Sequence, residues 1–142
     1  MEQNKEVLLQ VTDLVKWFPV KKWFFEKPAN VKAVDGVSFD VYKGETLGIA
    51  GESGCGKSTL LRTLLRLIQP TSGTLHYDGV DITHMRKKDL RKIRQHMQIV
   101  FQDPFSALDG RMKVGKIIEE PLIINGLFPN KKERMARVAQ LM

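Results

Sequence analysis

Along the first 45 residues the apolar positions recur every second residue. Val7, Leu9 and Val11 alternate with Leu8 and Gln10, and Val37, Phe39 and Val41 alternate with Ser38, Asp40 and Tyr42. A period of two predicts strands with one buried face. Lys43-Gly44-Glu45 predicts the turn after the second. The short, mostly apolar run 46–50 predicts a buried strand. The period then changes. In LLRTLLRLI (60–68), Leu60, Leu61, Leu64, Leu65 and Ile68 fall at helical spacing, and Pro70 and Gly73 predict its end. Residues 74–77 and 80–82 flank Asp78-Gly79, the pattern of a hairpin with a tight turn. MRKKDLRKIRQH (85–96) predicts one basic helix. MQIVF (97–101) predicts a buried strand, broken by QDPF (102–105). The rest reads as mainly helical, interrupted at Gly110, Pro121 and FPN (128–130), with Asn130 capping the final helix. Strands interleaved with helices predict an α/β fold.

Composition narrows the class. The 142 residues suit a domain with a real core, and a 42% hydrophobic and 27% charged chain is an ordinary globular one. No apolar run approaches the ~18 residues needed to cross a bilayer. MEQNKEVLLQ lacks the basic-then-apolar layout of a signal peptide. The single cysteine, Cys55, has no internal partner, and a reducing cytosol is the expected location. The net charge of +7 gathers in 85–96 and 131–140. These runs read as solvated helix faces. No aromatic residues interleave with them, so no nucleic-acid partner is expected.

Candidate chemistry concentrates in GESGCGKST (51–59), between the predicted strand and the leucine-rich helix. Gly51, Glu52, Ser53, Gly54, Cys55, Gly56, Lys57 and Ser58 spell G-x-x-x-x-G-K-S. Glycines reach backbone angles closed to other residues, so successive N–H groups converge on one point. The helix starting there adds partial positive charge at its N-terminus. Lys57 supplies a full charge for the β- and γ-phosphates. The Ser58 hydroxyl suits Mg²⁺, and Thr59 a phosphate nearer the nucleoside. Strand, loop and helix in this order predict a nucleoside triphosphate site. A thiol beside Lys57 predicts that Cys55 alkylates readily and that MgATP protects it.

Two blocks carry a family resemblance: AVDGVSFDVYKGETLGIAGESGCGKSTLLRTLLRLIQPTSGTLHYDG (33–79) and MQIVFQDPFSALDGRMKVGKIIEEPL (97–122). With them the chain resembles the ATP-binding subunits of ABC transporters, closely those of oligopeptide and dipeptide importers. Asp109-Gly110 stands where that subgroup often has Asn-Pro. The resemblance implies a P-loop NTPase (RecA-like) core with an antiparallel β-subdomain and the start of a helical subdomain, truncated. Residues 1–103 would hold the β-subdomain, phosphate loop and Q-loop, and 104–142 the beginning of the helical subdomain. It implies ATP and Mg²⁺ as cofactors. Gln102 would be the Q-loop glutamine, contacting Mg²⁺ or the attacking water and reporting nucleotide state to the helical segment. Phe18, in LVKWF (14–18), would stack on adenine, with Trp17 its rival. Trp23, Phe24 and Phe25 would form a local cluster in a family-specific loop. Implied partners are transmembrane permease subunits, reached through the helical subdomain, and a second ATP-binding subunit, identical or different. The implied location is cytoplasmic, peripheral on the inner face of the cell membrane.

Other expected parts of the family are absent from the sequence. There is no apolar strand ending in Asp-Glu, no LSGGQ-type signature and no switch histidine. His76, His84 and His96 come too early and read as surface groups. IIEE (117–120) reads as a short amphipathic helix, and NKKE (130–133) as a capped helix start. The chain is therefore expected to be the front part of a longer ATPase subunit that powers import of peptides or similar small solutes. Alone it should hydrolyse little ATP, lack central strands of the parallel sheet and expose apolar edges. Two alternatives stay open. One is a self-contained compact P-loop NTPase, with IVFQD (99–103) delivering Asp103 to Mg²⁺. The other is a non-catalytic interaction module with a vestigial phosphate loop. An ABC-type ATPase of DNA repair would suit the charge but not the 97–122 block. The transported solute is unreadable from these residues.

Overall fold

Two long strands begin the fold. In the computed structural model, which describes residues 5–20, 29–103 and 108–142, β1 (Val7–Val20) and β2 (Ala29–Tyr42) pair antiparallel, with Val11 opposite Phe39 and Leu14 opposite Val37. Both strands run well beyond the alternating cores that predicted them. Pro19 does not stop β1: it sits one residue from the strand's end, opposite Asn30, where a missing N–H costs little. On the other side of β1 lies β3 (Ser72–Tyr77), with Leu75 opposite Val11, and β4 (Val80–Asp81) completes the order β2-β1-β3-β4. The hairpin around Asp78-Gly79 forms as predicted. Where β1 passes the start of β3, Gly73 has φ +86, and a Cβ there would lie 2.3 Å from the Asp13 carbonyl oxygen. Only glycine allows that approach.

One face of this sheet builds the core. Val11, Leu14, Val34, Leu75 and Ile82 are buried with Leu60 and Leu64 from α1 (Lys57–Leu64), which packs on β1 and β2. Each such side chain contributes roughly 1.5–3 kcal/mol by leaving water. Helix α1 starts and stops earlier than 60–68. It ends in a left-handed cap: Leu67 N–H donates to Arg62 O and Arg66 N–H to Thr63 O, both at 2.9 Å, with Arg66 at φ +54. Helix α2 (Lys87–Ile93) and the 3₁₀ turn Arg94–His96 realise the basic helix. Leu90 is buried while Lys87, Lys88, Arg91 and Lys92 face solvent.

Contacts divide the chain between Arg94 and Gln95 into two compact units. In the second, α3 (Val114–Ile124) packs with α4 (Lys131–Leu141). Asn130 caps α4, its Oδ1 accepting Lys132 N–H at 2.8 Å. Glu119 of α3 is buried and bridged by Lys116 Nζ at 2.8 Å and Arg134 Nε at 3.0 Å.

Several expectations need correction. Residues 46–50 and 97–101 form no strand. A strand exists through its ladder, and no partner lies alongside either segment among the described residues, so the parallel part of the sheet is missing. Leu47, Ile49, Val100 and Phe101 are exposed, as expected of such a chain. Pro121 does not interrupt the helix but lies inside α3. His84 and His96 are exposed, but His76 is half-buried in β3, and its Nδ1 is buried with no hydrogen-bond partner among the described residues. Trp23, Phe24 and Phe25 fall outside the described residues, as do residues 104–107 of the 97–122 block.

Candidate functional site

The 51–56 loop enters α1 through Gly56, which takes φ 102 and ψ 0 as the residue before the helix. An added Cβ there would lie 2.1 Å from the carbonyl oxygen of Ala33 on β2. The loop is thus pressed onto the sheet at the point where the helix begins. Helix α1 has no side-chain cap and no acidic residue in its first turn. The N–H groups of Lys57, Ser58 and Thr59 have no carbonyl one turn back, so they and the helix dipole favour an anion. Gly51, Glu52, Ser53, Gly54, Cys55 and Ser58 are exposed, and the Ser58 hydroxyl has no hydrogen-bond partner among the described residues.

The Lys57 side chain folds back over the loop. Its Nζ donates to the carbonyls of Gly51 and Glu52, each at 2.6 Å, and lies 3.6 Å from Cys55 Sγ. Glu52 O also accepts Cys55 N–H at 3.3 Å. The ammonium therefore sits against two loop carbonyls and the Cys55 sulfur, beside the uncapped N–H groups. The donor set is cationic and rich in N–H groups, which fits a polyphosphate.

A cavity of about 420 Å³ opens between this loop and β2, lined by Val34, Val37, Ile49, Cys55, Lys57 and Leu60. Lys32 and Asp35 border it too. Asp35 accepts from Lys32 Nζ at 3.2 Å and from Trp17 Nε1 at 2.9 Å, and these two bonds hold its carboxyl below the usual carboxylate range. Lys32 Nζ also lies 4.6 Å from the centre of the Trp17 ring. The sequence trace of this network is the opposite charges of Lys32 and Asp35 three residues apart.

Phe18 lies on β1 opposite Val31, 37% exposed, with Lys16 Nζ 4.9 Å from its ring centre. Neither Phe18 nor Trp17 lines the cavity beside the loop. Gln102 and Asp103 belong to the second compact unit, outside any helix or strand, and Gln102 is exposed. Among the described residues no cluster of three or more His, Cys, Asp or Glu could hold a metal ion.

Residues 34–142 match the family described as ABC transporter. The chain belongs to that family. Among its curated relatives, the oligopeptide transport ATP-binding protein AppF of Bacillus subtilis (strain 168) is 46% identical over 141 residues, covering 98% of this ABC-family chain and 43% of AppF. The dipeptide transport ATP-binding protein DppF of Escherichia coli (strain K12) is 46% identical over 138 residues, covering 97% of this chain and 41% of DppF. Among solved structures, the dimeric post-hydrolysis state of the ATP-binding cassette MJ0796 bound to ADP and Pi aligns with a TM-score of 0.75. It is 26% identical and covers 94% of this chain and 55% of that one. The chain thus spans about two fifths of the length of these curated relatives. Among the described residues, no helix of this ABC-family chain is long and apolar enough to cross a membrane.

Proposed function

We propose that this chain is the ATP-binding N-terminal part of an ABC ATPase that powers import of peptides or similar small solutes. The observation that carries the reading is the Lys57 ammonium held by the Gly51 and Glu52 carbonyls beside the uncapped first turn of α1. Triphosphate binding exchanges those carbonyls for phosphate oxygens, and the first-turn N–H groups supply the remaining donors. Gly51, Glu52, Ser53, Gly54, Cys55 and Gly56 wrap the phosphates through their backbone, and Thr59 donates nearer the nucleoside. The residues also fit Mg²⁺: Ser58 would hold it, the family resemblance adds Gln102 as a ligand, and the ion would neutralise charge on the phosphate oxygens. Phe18 stacks on the adenine.

The names of the relatives, oligopeptide and dipeptide transport ATP-binding proteins, support peptides as the cargo. The dimeric cassette among the solved structures supports pairing with a second ATP-binding subunit. In this reading residues 1–103 carry nucleotide, and 104–142 begin the helical segment that meets transmembrane permease subunits on the cytoplasmic face of the membrane. The Asp-Glu strand that supports Mg²⁺ and polarises water, and the signature that closes on the γ-phosphate, are absent from this sequence, so the chain binds nucleotide weakly and turns over little.

Calorimetric titration with MgATP tests the reading. Weak saturable binding that disappears in Lys57→Ala, with negligible phosphate release, is the expected result. Lysine-dependent turnover by this chain would refute the view that essential parts are missing. Equal heats for the native chain and the variant would refute the site.

A further inference from the structure

A second cationic cavity lies away from the phosphate loop, at the opposite end of α1. It measures about 470 Å³ and is bordered by Arg66, His84, Arg86, Lys87, Leu90 and Arg94. Four of these side chains carry permanent positive charge, and among the described residues no aspartate or glutamate lines the space. Arg66 is the unusual member. It occupies the left-handed position of the α1 cap, φ +54, where glycine is the favoured residue. A non-glycine residue there is strained and persists when the surroundings enforce it. Its side chain turns inward, only 8% of the residue is exposed, and Nε donates to Ile82 O at 2.8 Å. The two Nη groups of Arg66 have no protein acceptor among the described residues.

Arg94 approaches the same cap from the 3₁₀ turn that follows α2. Its Nε donates to Leu65 O at 3.3 Å and one Nη group to Arg66 O, while the other Nη group has no acceptor among the described residues. Burial and the neighbouring Arg94 charge both push Arg66 below the usual guanidinium range, and Asp81 opposes them only in part. Asp81 Oδ1 is itself taken by Thr83 N–H at 2.7 Å, and Asp89 pairs with Arg86 at 3.1 Å. Arg66 thus keeps a spare planar fork and Arg94 one spare Nη group at the same cavity, with no carboxylate among the described residues that line it. Forks of this kind match tetrahedral oxyanions with paired hydrogen bonds.

We infer that this cavity is a second anion site, in which Arg66 and Arg94 bind a phosphate group assisted by Arg86 and Lys87. The phosphate belongs either to a free phosphorylated solute or to an anionic lipid headgroup. The assignment does not depend on nucleotide binding at the loop.

Amide-resolved NMR titration of the chain separates the two sites. Inorganic phosphate is expected to give saturable shifts at Leu67, His84, Met85 and Lys87, independent of those in the 51–59 loop. Arg66→Gly tests the site without imposing backbone strain, since glycine favours φ +54. It should retain the spectrum of a folded chain and weaken phosphate binding roughly tenfold or more. The exposed double variant Arg86→Gln, Lys87→Gln should weaken it by a smaller factor. Flotation with phosphatidylglycerol vesicles forms the second arm. Arg66-dependent capture by vesicles, without shifts from free phosphate, assigns the site to a lipid headgroup and supports the proposal. Absence of response at these amides to both probes, or binding indifferent to Arg66→Gly, would overturn it.

Discussion

Gly56 and Ala33 are in direct backbone apposition: a Cβ on Gly56 would lie 2.1 Å from the Ala33 carbonyl oxygen. This contact ties the start of α1 to β2 and sets where the first-turn N–H groups emerge. Gly56→Ala would add left-handed strain of about 1–3 kcal/mol to a clash with backbone that cannot yield easily. A lower melting temperature together with lost MgATP binding is expected, measured by circular dichroism and calorimetry. Unchanged melting would mean the loop can leave β2 without cost.

Cys55 is exposed, with its sulfur 3.6 Å from Lys57 Nζ. The thiol lies on the same short loop as the proposed phosphate donors. Alkylation by N-ethylmaleimide, followed by mass spectrometry, is expected to be fast and to slow when MgATP is present. Equal labelling rates with and without nucleotide would contradict a shared location.

Glu119 of α3 bonds Lys116 of the same helix and Arg134 of α4, and those bonds hold its carboxyl below the ordinary value of 4.5. A depressed folded-state pKa contributes stability at pH values above 4.5, and this contribution is lost as pH falls through the folded value. Glu119→Gln should lower the melting temperature at neutral pH by several degrees and flatten its decline toward acid. A variant whose acid decline matches the native chain would show that Glu119 does not govern it.

Val100 is 90% exposed in a segment without a strand partner, and Leu47 and Ile49 are exposed in another. Apolar segments with unpaired backbone promote association. Light scattering should therefore show concentration-dependent self-association, reduced by Ile49→Lys and by Val100→Lys. Equal association in both variants would move the cause elsewhere.

Local features of this protein were legible in its residues, because they depend on neighbours in the chain. The Gly51–Ser58 spacing, the Asp78-Gly79 turn and the Asn130 cap each follow from conformations available over a few residues. Alternation also revealed β1 and β2, though not their full reach, since residues beyond the alternating core become strand by pairing with each other. Residues 46–50 and 97–101 carry equally strand-like sequences yet form no strand, because a ladder requires a second chain segment alongside. The inward turn of Arg66 toward Ile82, its meeting with Arg94, and the union of Trp17, Lys32 and Asp35 were decided by tertiary structure alone. The pairing of β1 with β2 carries Trp17 to Lys32 and Asp35, and the packing at the end of α1 carries Arg66 to Ile82 and Arg94; each contact joins positions that the chain alone keeps 15 or more residues apart.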